Sequence, residues 1–184
     1  MSCQKHDLSQ HTGVLFSRRS LIATLASTAA VPAVSVAGEP TSIQDEQFMR
    51  LAIDEARQGD FPFGAVITQD GSIVARGRNL GRTNADPTAH GEMIAIRRGL
   101  ADHGPAALRG STLYTSGEPC AMCMGAILWS RVGRLVFAAS VAQLATKIDQ
   151  IMLTSAEVAA KASFVKISIT GGVLADEAMA LFAK

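Results

Sequence analysis

Between residues 42 and 58 the apolar positions recur at helical spacing, with Phe48, Met49, Ala52, Ile53 and Ala56 on one face. Gly59 is a stop signal for that helix. Residues 63–69 form a short apolar run, and residues 72–78 a second one. Asp70-Gly71 lies between them, and both residues accept positive φ, so the stretch predicts a strand, a tight turn and a returning strand. Residues 79–87 are polar and read as a loop. Thr88 is the predicted N-cap of a helix reaching about residue 101. Residues 112–115, around Leu113 and Tyr114, predict a strand that Ser116-Gly117-Glu118-Pro119 interrupts. Cys120 then opens a helix to about Ser130. Further strands are predicted at 135–138 and 165–169, and helices at 155–162 and 175–182. Helices alternating with strands from residue 88 onward predict an α/β fold of crossover units, with a sheet covered by helices.

The apolar stretch at residues 21–36 fits none of these elements. It carries no charge, follows Ser17-Arg18-Arg19-Ser20 and ends in Ser35-Val36-Ala37, small residues of the kind a signal peptidase reads. Residues 1–37 therefore resemble a twin-arginine-type signal peptide, which predicts a periplasmic protein and leaves 38–184 as the working domain. The customary Lys after the motif is missing, since Ala23 stands there. A transmembrane helix needs about 20 strongly apolar residues, and this run is shorter and weaker, so no stable membrane anchor is expected. A mistaken start codon is the other reading, and it would leave the protein cytoplasmic.

Composition and charge narrow the picture. The chain has 184 residues, 48% hydrophobic and 18% charged, enough for one domain with a real core. Only 3 of the 17 Lys and Arg, and 1 of the 16 Asp and Glu, lie before residue 38. Neither the chain nor its body has the basic surplus that announces a nucleic-acid partner. Three cysteines are present, and only Cys120 and Cys123 lie beyond the leader; Cys3 is near the start. The body has two histidines, His90 and His103. His103 sits beside Gly104-Pro105 and reads as a solvated loop residue.

Two short segments carry candidate chemistry: His90-Gly91-Glu92 and Pro119-Cys120-Ala121-Met122-Cys123. Cys120 and Cys123 are three apart, so both project to one side of a helix at its first turn. Free N–H groups and the positive end of the helix dipole favour thiolate there, the form that binds zinc. His90 is predicted in the first turn of its own helix. Three protein ligands leave zinc a fourth position for water, the arrangement of a catalytic rather than a structural site. Zinc lowers the pKa of that water from about 15.7 towards 7. Glu92 is not needed as a ligand and is placed to take the water's proton and deliver it to a leaving amine. Either segment alone is ambiguous, because Cys-x-x-Cys opening a helix also fits a dithiol redox site. Together and in this order they match the signature of zinc deaminases.

The segments Asp86-Pro87-Thr88-Ala89-His90-Gly91-Glu92-Met93 and Leu113-Tyr114-Thr115-Ser116-Gly117-Glu118-Pro119-Cys120-Ala121-Met122-Cys123-Met124-Gly125-Ala126-Ile127 resemble the cytidine-deaminase-like superfamily. The likeness is to the branch holding bacterial guanine deaminases and tRNA adenosine deaminases, over residues 43–140 and more loosely to the end. It implies a three-layer α/β/α fold with a mixed five-stranded sheet. It implies Zn2+ on His90, Cys120 and Cys123, Glu92 as proton shuttle, and a homodimer. Asn79 matches the position that hydrogen-bonds the base, and Phe63 and Trp129 match aromatic pocket positions; turn formation and core packing are their plain alternatives. Gly91 stands where the branch has Ala. Residues 140–152 follow neither subfamily, and Asp149 only loosely matches a second acidic position of guanine deaminases.

The reaction these readings point to is hydrolytic deamination of a free nucleobase or nucleoside, guanine to xanthine first. From residue 136 onward four Lys (147, 161, 166, 184) face four acids (149, 157, 176, 177), no surplus for phosphate contacts. tRNA adenosine-to-inosine deamination is the alternative, for which Arg76, Arg78, Arg82, Arg97 and Arg98 would supply a basic rim. A periplasmic dithiol oxidoreductase using Cys120 and Cys123 is a distant third, and it gives His90 and Glu92 no task.

Overall fold

The computed structural model describes residues 42–183. The expected export signal at 1–37 and Cys3 lie outside them. Ser42 caps helix α1 (Ile43–Arg57): its hydroxyl accepts the Asp45 N–H while the Asp45 side chain accepts the Ser42 N–H, a reciprocal box that closes two orphan donors. Met49, Ala52, Ile53 and Ala56 are buried, as the helical spacing predicts. Strands β1 (Gly64–Gln69) and β2 (Ser72–Arg78) form the predicted hairpin, with Asp70 at φ 50° and Gly71 at φ 76°. These two consecutive positive values suit the right-handed twist of the paired strands.

Helix α2 (Gly91–His103) follows the polar loop, and a short 3₁₀ turn (Pro105–Ala107) leads to β3 (Thr112–Gly117). Helix α3 (Ala121–Trp129) and β4 (Arg134–Ala139) complete one crossover unit. Helices α4 (Val141–Leu144) and α5 (Ser155–Ala160) then precede β5 (Ser168–Thr170), and α6 (Ala175–Met179) runs into a 3₁₀ turn (Ala180–Phe182). The sheet order is β2-β1-β3-β4-β5. β1 is antiparallel to β2 and β3, whereas β3, β4 and β5 are parallel, so the sheet is mixed and five-stranded as expected.

Alternate residues of the central strands face opposite layers. Val66, Tyr114 and Val136 pack with Met49, Ile53 and Ala178 from α1 and α6. Ala65, Ile67, Leu113 and Leu135 pack with Ala95, Met124 and Ile127 from α2 and α3. Burial on both faces of β1 explains its continuous apolar sequence. Two glycines set how closely the helices lie. A Cβ on Gly64 would stand 2.3 Å from the Ala52 carbonyl oxygen, and one on Gly77 2.2 Å from the Gly91 carbonyl oxygen. Helices α1 and α2 therefore meet the hairpin backbone to backbone.

The structure departs from the sequence reading at several ends. His90, not Thr88, is the N-cap of α2. Thr88 is drawn into a turn in which the Asp86 carboxylate accepts both its N–H (2.8 Å) and its hydroxyl (2.7 Å). β3 continues to Gly117, which pairs with Ala139. β5 spans 168–170 instead of 165–169, α4 was not anticipated, and His103 lies exposed on the last turn of α2. Among the described residues no helix is long and apolar enough to cross a membrane.

Candidate metal centre

The sheet edge that receives the C-terminal ends of β3 and β4 also receives the start of β1 and the end of β2, because β1 runs antiparallel to both of its neighbours. Phe63 immediately precedes β1, and Asn79 immediately follows β2. Cys120 follows β3 after two residues, Glu118 and Pro119. Three chain segments thus deliver side chains to one edge, where α/β sheets generally bind ligands.

His90 and Cys120 are the N-caps of α2 and α3, and neither side chain is spent on capping. His90 Nδ1 lies 3.7 Å from Cys120 Sγ and 3.5 Å from Cys123 Sγ. A tetrahedral zinc with ordinary Zn–N and Zn–S lengths places its N and S ligands about 3.6 Å apart. The three ligand atoms all lie within 4.8 Å of one another, so His90, Cys120 and Cys123 can hold one metal ion. The donor set, one imidazole and two thiols, is that of zinc.

Electrostatics support the same arrangement. The Cys123 thiol, by hydrogen-bonding Cys120, pushes Cys120 down to about 4, with His90 assisting and burial opposing. The same bond, with burial, holds the Cys123 thiol up. Hydrogen bonding to Cys120 raises His90, helped by the Glu92 charge. Glu92 is 4% exposed, and burial holds its carboxyl above the usual carboxylate range. A thiolate, an imidazole and a desolvated carboxyl at two helix starts is a cluster built for chemistry at a bound ion.

These groups open into a cavity of about 290 Å³, at the small end of the range for small-molecule sites. Phe63, Asn79, His90, Glu92 and Cys120 line it, together with Phe61, Glu118 and a wall made of residues 148–151. Asn79 is 4% exposed. Its Oδ1 accepts the Gly81 N–H at 3.0 Å, which leaves the amide nitrogen to meet a ligand. A shallower cavity of about 380 Å³ adjoins through Phe61, Asn79 and His90 and reaches Arg82 and Pro87.

Trp129, which the family resemblance matches to an aromatic pocket position, is not among the residues lining this cavity. It ends α3, is 72% exposed and stacks on Phe164 with ring centroids 4.3 Å apart. Nine residues of helix carry it about 13 Å along the axis from Cys120. Asp149 does stand in the cavity wall. Glu118, which the sequence reading treated only as part of a turn, is 7% exposed and accepts the N–H groups of Val141 and Ser155, both at 2.8 Å. The expected basic rim is partly neutralised. Arg78 pairs with Glu55 at 3.2 Å, Arg97 pairs with Asp86 at 3.3 Å, and Arg98 donates to the Arg76 carbonyl.

Residues 42–139 match the family model described as the cytidine and deoxycytidylate deaminase zinc-binding region. The chain is similar to the tRNA-specific adenosine deaminase of Haemophilus influenzae, 48% identical over 101 residues, covering 52% of this chain and 58% of that protein. It is similar to the guanine deaminase of Bacillus subtilis, 46% identical over 99 residues, covering 51% of this chain and 64% of that protein. The matches thus span about three fifths of the length of these relatives. A structure from work on A-to-I editing by tRNA:A34 deaminases at the wobble position of transfer RNA superposes with a TM-score of 0.65 at 30% identity, covering 73% of this chain and 98% of the other.

Proposed function

The chain belongs to the cytidine and deoxycytidylate deaminase zinc-binding family, and from that premise we propose that it hydrolytically deaminates a free nucleobase or nucleoside, guanine to xanthine first. The observation that carries this reading is the convergence of buried Glu92 with His90, Cys120 and Cys123 in the wall of one small cavity. Zinc on those three ligands supplies a Lewis acid that makes water nucleophilic at neutral pH. Glu92 takes the proton that water gives up and passes protons to the ring nitrogen and to the departing ammonia, so that guanine and water become xanthine and ammonia. Its raised affinity for a proton, a consequence of burial, suits a group that must hold and release one. Asn79 donates from its amide nitrogen to the ring, and Phe63 packs against the ring. Residues 148–151 exclude water from the far side.

The choice of guanine rests on two observations. Asp149 in the wall offers an acceptor to the N–H groups that crowd one edge of guanine. The charges from residue 136 onward balance, where tRNA binding needs a basic surplus. tRNA adenosine-to-inosine deamination is the second reading, favoured by the similarity to tRNA deaminases.

Ammonia release by the zinc-loaded protein, measured across guanine, adenine, cytosine, their nucleosides and a tRNA anticodon hairpin, tests both. Release from guanine that is lost in Glu92→Gln supports the first. Release from the hairpin alone replaces it with the second. Silence across the panel from fully loaded protein removes both.

A further inference from the structure

We infer that Glu118 is a positioning residue that hangs the cavity-closing segment 141–155 from the turn presenting Cys120. The inference rests on the deaminase reading only for what the segment closes upon.

Val141 and Ser155 are the first residues of α4 and α5. At both helix starts the cap side chains are committed to the third helical residue: Ser140 accepts from Gln143, and Thr154 accepts from Glu157. The amides of the first helical residues have no partner within their own helices. Both donate to one buried carboxylate, Val141 to Oε2 and Ser155 to Oε1, each at 2.8 Å. Glu118 itself is fixed, since its N–H donates to the Ala139 carbonyl at 2.7 Å.

The fifteen residues from Val141 to Ser155 are thereby closed at both ends on one side chain, as in a compact Ω-loop. Between those ends the hydrogen bonds are local, such as Lys147 N–H to Leu144 O and Leu153 N–H to Ile151 O. The cavity wall, Ile148 to Ile151, lies in the middle of this excursion. Glu118 is two residues from Cys120, so the wall and the metal ligand share one anchor. Losing a charge-assisted bond to a buried amide frees that end of the loop to open locally.

Two variants test this in the zinc-loaded full chain. Glu118→Gln sets an amide NH2 against a backbone N–H. Ser155→Pro leaves Glu118 intact and deletes one donor. Proline suits the first position of a helix, and Thr154 at φ −73° and ψ 155° already has the backbone required before proline. Lys147 is exposed within the segment and reports opening through tryptic cleavage. The expected result in both variants is cleavage after Lys147 at least about tenfold faster, with zinc content unchanged. On the substrate identified above, KM rises about tenfold while kcat stays within about threefold, the pattern of lost uniform binding. Cleavage at the wild-type rate in Ser155→Pro overturns the inference, even if Glu118→Gln fails to fold. So does faster cleavage with KM unchanged. A wild-type protein that deaminates nothing leaves the cleavage comparison standing and removes only the functional reading.

Discussion

At the scale of single residues the site is economical: two helix caps, one residue a turn further on and one buried carboxyl. Replacing Glu92 by Gln keeps the shape and removes the proposed proton carrier. Ammonia release is expected to fall by about 10²- to 10⁴-fold with zinc content unchanged, which activity and metal analysis on the same sample check. His90, Glu92, Cys120 and Cys123 were legible in the sequence because their geometry is local: spacings of two and three at helix starts fix where the side chains point. Asn79 and Phe63 were expected only from the family resemblance, outside the two motif segments, and both line the cavity. Trp129 stands apart from that cavity; a matched family position does not show which way a helix end faces. Glu118 and the 148–151 wall were hidden for a different reason. The partners of Glu118 lie 23 and 37 residues away, and no periodicity records such a distance.

At the scale of elements, α1 docks on the sheet through charge as well as apolar area. Asp45 is buried; its carboxylate accepts from Arg134 at 2.6 and 3.0 Å and from the Tyr114 hydroxyl at 3.0 Å. Burial alone would raise its pKa, but these bonds, with that from Ser42, hold it down at about 2 from an ordinary 3.8. The group therefore stabilises the fold by about 2 kcal/mol above pH 3.8, and that contribution is lost as pH falls towards 2. Asp45→Asn is expected to lose it at pH 7 and to flatten the acid limb of stability, read by urea unfolding at several pH values. Gly77→Ala addresses the other helix. The new methyl would press on the Gly91 carbonyl, push α2 from the hairpin and cost about 1–3 kcal/mol by the same assay. Most elements were legible from periodicity and turn chemistry. Helix α4 was missed at four residues, although Ser140 and Gln143 spell its capping box. β5 was misplaced because it pairs over only three residues, from Ser168 opposite Arg134.

At the scale of the whole molecule, the metal joins two crossover units. Removing zinc with a chelator is expected to lower Tm by about 10 °C, and Zn2+ but not Mg2+ to restore it, if zinc is held at about a thousand times its Kd. Calorimetry checks this without any substrate. Trp129, Ile151 and Met152 leave apolar surface exposed, and the homodimer that the family resemblance implies would cover part of it. Sedimentation of the wild type beside Trp129→Glu tests that, with a shift to monomer expected in the variant.

The placing of β1 between β2 and β3 bears on how the protein is born. The imidazole arrives on the unit that follows β2, and the sulfurs arrive on the unit that follows β3. Those two strands never pair with each other; each pairs with β1, a strand that supplies no ligand. An emerging chain has the two thiols within one turn of helix as soon as α3 forms, but the third ligand comes into reach only when the first hairpin has been captured by the later strand. Tight zinc uptake then follows the pairing of β1 with β3, and a chain that keeps its zinc has, by that fact, brought those two strands together.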